Sequence, residues 1–186
     1  MKIGFFGSQG TGKTELIKAM TRDPYFNGYE VIESRSRVAA NSGGKINTEA
    51  GKLDQLVITV ARCTADLLTD KPCMSDRTPL DSLAYSMYQQ VYVWDDEPGD
   101  EMFWRTSIEL VSAVMPMYDR LFYFPIYWEP KADGGVRSTD PEYQKEIDFF
   151  IRKVASDLKV NYERVPNLSV PGRLGWLKAS LEFDSL

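Results

Sequence analysis

Short apolar runs alternate along this chain with longer segments in which apolar residues recur every three or four positions. The first two runs, Lys2–Phe6 and Tyr29–Ile32, predict strands. Three more strands are predicted at 72–75, Arg120–Phe124 and Asn161–Val165. Strands that alternate with helical segments are typical of βαβ units, so the pattern predicts a parallel sheet.

The segments between these strands have the spacing of helices. One helix begins near Gly12, and a second follows the loop at Gly43-Gly44. The second helix carries six apolar residues on one face, namely Leu53, Leu56, Val57, Val60, Ala61 and Leu67. A third helix begins at Thr78-Pro79, which supplies a capping hydroxyl and a proline at the first helical position, with the acid Asp81 three residues after Thr78. Its predicted buried stripe is Leu80, Leu83, Ala84, Met87 and Val91.

Three further helices complete the predicted pattern. One ends at about Val114, the next begins at Asp140-Pro141, and a short last helix follows Pro171-Gly172. The helix that begins at Asp140-Pro141 carries on one face Tyr143, Ile147, Phe150, Ile151, Val154 and Leu158.

Composition and charge limit the classes of protein to which the chain can belong. The chain has 186 residues, of which 43% are hydrophobic and 26% charged, and this balance predicts one globular domain spanning 1–186. The net charge of −5 disfavours a protein that coats long nucleic acid, although a local basic groove stays open. With no histidine and only two cysteines, the chain excludes a Cys/His zinc site and serine–histidine triads.

Cysteine usage and the length of the apolar runs indicate the compartment. Two cysteines, Cys63 and Cys73, favour a reducing environment rather than a disulfide framework. No apolar run is long enough for a signal peptide or a membrane span. We therefore expect a cytoplasmic protein without membrane attachment, located in the host cytoplasm if the chain is viral.

One motif points to nucleotide chemistry. Between the first strand and the first helix, the pattern G-x-x-x-x-G-K-[ST] is met in full by Gly7-Ser8-Gln9-Gly10-Thr11-Gly12-Lys13-Thr14. Such glycines let successive backbone N–H groups point at a phosphate, and the helix N-terminus adds partial positive charge. Lys13 is expected to reach the β- and γ-phosphates, and the Thr14 hydroxyl to bind Mg²⁺. The motif predicts ATP and Mg²⁺ as cofactors.

The segment after the third strand distinguishes a kinase from other nucleotide-binding proteins. It reads Ser75-Asp76-Arg77-Thr78-Pro79-Leu80-Asp81-Ser82-Leu83-Ala84-Tyr85. It resembles the Asp-Arg-x-x-x-Ser-x-x-Ala-Tyr signature of thymidylate kinases. It resembles more closely the Asp-Arg-x-x-x-Asp element of small bacterial or phage P-loop kinases related to the ribosylnicotinamide kinase domain. A second similarity to that group is a glycine-containing segment with an arginine before a helix, at 133–143.

The resemblance implies a fold and a reaction. The implied fold is a three-layer α/β P-loop kinase, with a five-stranded parallel sheet in the order 2-3-1-4-5, helices on both faces and a lid at about 129–140. The implied reaction is Mg-ATP-dependent phosphoryl transfer to a nucleoside or nucleotide. Gln144 stands where the group often has arginine, so Lys131 and Arg137 remain as the cations of the lid.

Several residues have expected roles in that reaction. Asp76 ends the third strand, on the side where open α/β sheets bind ligands, and is expected to hold Mg²⁺ through water or to orient the acceptor. Arg77 is expected to contact the acceptor or the transferred phosphate, and Arg137 to act as an arginine finger supplied in cis. Aromatic residues of the next helix could stack on the acceptor, namely Tyr85, Tyr88, Tyr92 and Trp94.

The residues after the second strand bear on the acceptor. Glu33 could serve as general base for a neutral hydroxyl. If the acceptor is already a phosphate monoester, no base is required, and Arg35 or Arg37 would bind that phosphate. The arginine pair beside Glu33 slightly favours a phosphorylated acceptor.

Two alternative functions stay open. One is a kinase of the phage type that phosphorylates a hydroxymethylated base within DNA, for which the chain offers only scattered cations such as Lys45. The other is an ATP-binding regulatory module with little turnover. The Asp76-Arg77 pair and the lid arginine disfavour the module, because a sensor needs no transfer machinery. Homodimerisation also stays open.

Overall fold

The sheet has five parallel strands in the predicted order. The computed structural model describes residues 1–34, 50–70, 72–95, 100–129 and 139–183. The strands are β1 (Lys2–Phe6), β2 (Glu30–Ile32), β3 (Cys73–Asp76), β4 (Arg120–Tyr123) and β5 (Glu163–Arg164). Every adjacent pair is parallel and the order is β2-β3-β1-β4-β5, which confirms the predicted sheet.

The helices begin where the sequence supplies caps. They are α1 (Lys13–Met20), α2 (Lys52–Leu68), α3 (Pro79–Tyr92), α4 (Asp100–Val114), α5 (Pro141–Asp157) and α6 (Val170–Phe183). Thr78 and Asp81 form a capping box at the start of α3, and the Asp140 carboxylate accepts the backbone N–H of Glu142 at 2.9 Å to begin α5. The proline of each predicted Thr-Pro or Asp-Pro pair is the first helical residue.

Helices cover both faces of the sheet, as predicted. Successive side chains of a strand point to opposite faces, and β1 sends Phe5 to one core and Phe6 to the other. α1 and α6 pack in the core that contains Phe5, whereas α3, α4 and α5 pack in the core that contains Phe6. The phosphate-loop motif therefore starts from a strand that is buried on both sides.

The predicted apolar stripes of α3 and α5 face inward, with one exception. On α3, Leu80, Leu83 and Ala84 are buried and Met87 is partly buried. Val91 is exposed, and the prediction for it is wrong because the last turn of α3 lies in solvent together with Tyr92. On α5, every member of the predicted face is buried except Leu158, which is partly buried.

Helix α2 is oriented against its apolar pattern. An apolar stripe normally packs on the core, yet most of this one is exposed, namely Leu53, Val57, Val60, Ala61 and Leu67. The opposite face of α2 is buried and largely polar, namely Gln55, Ile58, Thr59, Arg62, Cys63 and Asp66. The polar side is turned inward because Arg62 bonds to backbone carbonyls at the ends of β2 and β3.

Candidate active site

The phosphate loop has the backbone that its glycines permit. β1 ends at Phe6 and α1 begins at Lys13. Between them, Gly7, Gly10 and Gly12 have φ angles of 142°, 73° and 90°, a region that side-chain-bearing residues rarely adopt. A Cβ on Gly7 would also lie 2.6 Å from the carbonyl oxygen of Phe124.

Lys13 closes over this loop. Its Nζ donates to the carbonyl oxygens of Gly7 at 2.7 Å and Ser8 at 2.6 Å, and to Thr11 Oγ1 at 3.0 Å. The side chain is buried. Its ammonium group therefore lies within the curve of the loop, where the charge of a bound phosphate would be placed.

Thr14 and Asp76 meet at the start of α1 and the end of β3. The Thr14 hydroxyl donates to Asp76 Oδ2 at 3.0 Å, which joins two residues that are 62 positions apart in the chain. A hydroxyl and a carboxylate oxygen are hard donors, and Mg²⁺ is commonly held by one or two carboxylates together with substrate phosphates and waters. Among the described residues, no cluster of three or more His, Cys, Asp or Glu could hold a metal by itself. The two donors thus fit a Mg²⁺ ion shared with a nucleotide.

Arg77 is held in an uncommon backbone conformation directly after β3. Its φ of 81° is left-handed, and its N–H donates to the carbonyl of Phe5 at 3.0 Å. Its guanidinium donates to Tyr85 Oη at 3.2 Å and lies 3.4 Å from an Asp81 oxygen. Burial disfavours the cation, but Tyr85, Asp81 and Asp76 outweigh it and raise the pKa of Arg77 above its ordinary value. Arg77 is therefore charged at every physiological pH.

Asp81 connects the cap of α3 to the phosphate loop. It accepts the backbone N–H of Thr78 at 2.8 Å and the backbone N–H of Gly7 at 3.1 Å. The sequence pattern predicted the capping role, and the bond to Gly7 is a second role that the local spacing does not indicate.

Gln9 joins the loop to α3 and α5. Its Oε1 accepts from the Tyr85 hydroxyl at 3.1 Å, and its backbone carbonyl accepts from Gln144 Nε2 at 2.7 Å. Gln144 is thus a buried support of the phosphate loop. Among the residues that the structure describes, the Nε2 group of Gln9 in the loop is buried and has no hydrogen-bond partner.

Trp128 and Arg173 form the other wall of the loop, and no local sequence pattern indicates either residue. Arg173 donates to the carbonyl of Thr11 at 3.1 Å, and Trp128 Nε1 donates to the carbonyl of Gly10 at 2.7 Å. The guanidinium of Arg173 stacks 4.7 Å from the Trp128 ring centroid. Burial lowers the pKa of Arg173 from its ordinary value. The pair makes a flat surface beside Gly12, where an added Cβ would lie 3.0 Å from Arg173.

Arg62 is another residue that sequence reasoning missed. Its Nη2 donates to the carbonyl oxygens of Glu33 and Asp76, each at 2.8 Å, and its Nη1 donates to Ser75 Oγ at 3.0 Å. Ser75 Oγ in turn donates to Asp66 at 3.1 Å, and burial raises the pKa of Asp66. Arg62 therefore holds the ends of β2 and β3 in place, at the predicted site residues Glu33 and Asp76.

The structure describes some of the remaining predicted site residues, and the others lie outside the described ranges. Glu33 is exposed at the end of β2, with its carbonyl bound by Arg62. Tyr88 packs against Tyr143 in the core, with ring centroids 4.8 Å apart, and Trp94 donates to the carbonyl of Ala50. Outside the described residues lie Arg35, Arg37, Lys45, Lys131, Arg137 and most of the predicted lid.

Solved structures share this fold. Deoxyadenosine kinase from M. mycoides, with the products dCMP and dCDP bound, matches with a TM-score of 0.71 and 16% identity over 98% of both chains. Thymidylate kinase from Ehrlichia chaffeensis matches with a TM-score of 0.64 and 14% identity, over 97% of this chain and 98% of that one. NadR in complex with NAD and AMP-PNP matches with a TM-score of 0.72 and 12% identity, over 100% of this chain and 49% of that one.

The fold and the phosphate loop define a P-loop protein with the architecture of nucleoside and nucleotide kinases. A family model described as an AAA domain matches residues 2–173, so the chain belongs to that family. A comparison with curated protein sequences finds no match. Across the described ranges, the helices are all too short or too polar to cross a membrane.

Proposed function

We propose that the protein is a kinase that transfers the γ-phosphoryl group of Mg-ATP to a nucleoside or nucleotide. The observation that carries the proposal is the convergence of the Lys13 phosphate loop, the Thr14–Asp76 pair and the cationic Arg77 at the carboxyl ends of β1 and β3. The kinase folds of the neighbours and the family match over residues 2–173 support it.

The proposal includes the organisation of the chain and its location. We take residues 1–186 as one catalytic domain, which the match over 98% of the deoxyadenosine kinase chain supports. Most of the lid expected at about 129–140 lies outside the described residues. Cys63 and Cys73 are free and buried, which suits the reducing cytoplasm.

The donor side of the reaction follows from the loop. When bound, Mg²⁺ neutralises phosphate charge and fixes the oxygens about the transferred group. Thr14 and Asp76 are the residues that would hold it. Lys13 binds the β- and γ-phosphate oxygens, and Trp128 with Arg173 provides a flat surface beside the loop for the donor base.

The acceptor side begins at Arg77. An acceptor oxygen attacks the γ-phosphorus, the bond to the bridging oxygen breaks, and ADP leaves with the electron pair. Arg77 stabilises the charge that spreads over the transferred group, because Asp81 and Tyr85 hold its guanidinium in place. Arg137 is the expected cation of the lid and lies outside the described residues. Catalysis by this site is positioning and charge neutralisation, with no covalent intermediate.

The effect of substituting Glu33 distinguishes two kinds of acceptor. For a hydroxyl acceptor it takes the proton, and Glu33→Gln lowers the rate by about 10²–10⁴ with little change in ATP affinity. For a monophosphate acceptor the same change is mild, and Arg35→Ala or Arg37→Ala instead raises the acceptor KM. We favour the phosphorylated acceptor because Arg35 and Arg37 lie only two and four positions after Glu33 in the sequence.

Transfer of ³²P from γ-labelled ATP tests the proposal directly. The acceptors are nucleosides, nucleoside monophosphates, ribosylnicotinamide and DNA that contains a hydroxymethylated base. Label in a nucleoside or nucleotide, absent with Lys13→Ala, is the expected result. Label only in DNA would establish the alternative base kinase, and ATP binding without label in any acceptor would establish the regulatory module.

A further inference from the structure

A buried side chain, Arg62, joins the two strand ends at which the candidate site begins. Strands β2 and β3 pair in register as far as Ile32 and Ser75, and the next residues along the two strands are Glu33 and Asp76. Arg62 Nη2 donates to the carbonyl oxygens of both, each at 2.8 Å. A side chain of α2 therefore bridges the backbone of Glu33 to that of Asp76.

The orientation of Arg62 is fixed by a hydroxyl that uses all of its hydrogen-bonding capacity. Ser75 Oγ accepts from Arg62 Nη1 at 3.0 Å and from Tyr118 Oη at 3.2 Å. It donates to Asp66 Oδ1 at 3.1 Å. A serine hydroxyl has one proton and two acceptor lone pairs, and all three are engaged here. The guanidinium of Arg62 therefore cannot turn without losing its bond to Ser75 or its bonds to the strand ends.

The burial of Arg62 indicates a role other than stability. The side chain is 2% exposed, and a buried cation requires an opposite charge and hydrogen bonds. Asp66 supplies that charge through the Ser75 hydroxyl, one turn further along α2. Buried ion pairs contribute little net stability compared with apolar residues of the same volume, although removal of one partner is destabilising. The arrangement thus favours positioning over stabilisation.

We propose that Arg62 is a positioning residue for phosphoryl transfer, which holds Glu33, the first of the predicted acceptor residues, at a fixed distance from Asp76. The proposal rests on the kinase function proposed above. The attacking oxygen and the transferred group must lie in line, and a displacement of about 1 Å can cost about 10² in rate. Arginine suits this task because its planar fork reaches two carbonyls and a hydroxyl together, whereas the ammonium of lysine is a compact point charge.

Arg62→Lys keeps the charge and removes the fork, so it tests position separately from electrostatics. We expect kcat/KM for the acceptor to fall by about 10². The Kd of ATP should stay within about twofold of the wild-type value, because the contacts of Lys13 with the phosphate loop do not involve Arg62. Ser75→Ala should cause a smaller loss in the same direction. The double variant should lose no more than Arg62→Lys alone, since both changes act through one set of bonds.

Cys63→Ala separates positioning from stability. Cys63 is buried and follows Arg62 directly in α2, and its truncation removes core volume. Both Cys63→Ala and Arg62→Lys should lower the Tm, but only Arg62→Lys should change the kinetic constants for the acceptor. If Arg62→Lys lowers the Tm and leaves kcat/KM of the folded enzyme unchanged, Arg62 has a structural role alone and the proposal is wrong.

Amide hydrogen exchange tests the positioning without a transfer assay. In Arg62→Lys, exchange should become faster in the peptides 29–34 and 72–78, at the ends of β2 and β3, and stay at the wild-type rate in β4. Unchanged exchange at these two ends would overturn the proposal. A wild-type protein that transfers no label would instead refute the kinase function, and the exchange rates would still decide whether Arg62 holds the two strand ends together.

Discussion

The two sides of the phosphate loop are built from different kinds of interaction. On the β3 side, the Arg77 guanidinium donates to Asp81 and Tyr85, and Asp76 accepts from Thr14, so these hydrogen bonds pass from side chain to side chain. On the α6 side, Arg173 and Trp128 donate to backbone carbonyls, of Thr11 and Gly10 in the loop and of Pro166 outside it, and stack on each other. The β3 side presents charged and hydroxyl groups, whereas the α6 side presents a flat surface. We propose that the first side acts in transfer and that the second binds the donor.

Lys13 belongs to neither side, and its removal should have the largest effect. We expect Lys13→Ala to lower kcat/KM by about 10³, because a preorganised cation no longer neutralises the phosphates. Steady-state kinetics measure the loss. Lys18→Ala on the exposed face of α1 is the control and should keep wild-type rates. Near-native turnover in Lys13→Ala would contradict phosphate binding by the loop, on which the roles of its two sides depend.

Thr14→Ala should affect the metal rather than the nucleotide. Loss of the hydroxyl that bonds to Asp76 should raise the Mg²⁺ concentration for half-maximal rate about tenfold. A magnesium titration at saturating ATP measures this shift. Thr21→Ala, which removes an exposed hydroxyl at the end of the same helix, should leave the titration unchanged.

Arg173→Lys sharpens the comparison on the α6 side. The substitution keeps the charge but loses the planar group that stacks on Trp128, so the KM for ATP should rise about fivefold while kcat stays within about twofold. Initial rates at varied ATP separate the two constants. A fall in kcat with an unchanged KM would place Arg173 among the groups that act in the transfer step.

Tyr85→Phe is the corresponding change on the β3 side and has the smallest expected effect. It removes the hydroxyl that bridges Arg77 and Gln9. The net contribution of a hydrogen bond of this kind is about 1 kcal/mol. We expect kcat to fall about threefold and the KM for ATP to be unchanged, which is the reverse of Arg173→Lys. Tyr92→Phe, whose hydroxyl bonds to the surface residue Glu146, is the control and should have wild-type kinetics.

Structural features that depend on neighbouring residues could be predicted from the sequence. Features that depend on residues far apart in the chain could not. The strand, loop and helix from Lys2 to Met20 follow from adjacent residues, and their arrangement was predicted. So was the start of α3, where Thr78 and Asp81 are three positions apart. Arg173 contacts Thr11 across 162 positions, and no local pattern reveals such a partner.

Helix α2 shows why a local pattern can also mislead. Its apolar stripe predicted the spacing of a helix correctly, but the stripe does not say which neighbour it packs on. The carbonyl groups at the ends of β2 and β3 require a donor, and Arg62 on the opposite stripe satisfies them. The hydrogen bonds of the buried Arg62 outweigh the cost of exposing the apolar face. They therefore determine which face of α2 is turned inward.

The supports of the phosphate loop have a thermodynamic consequence for ligand binding. Asp81 from α3, Gln144 from α5 and Arg173 from α6 each bond to the backbone of the loop. Ordering a residue of a flexible loop costs about 1–2 kcal/mol of conformational entropy. Because these three side chains order the loop in the folded chain, that entropy is lost on folding and is not subtracted from the affinity of a nucleotide.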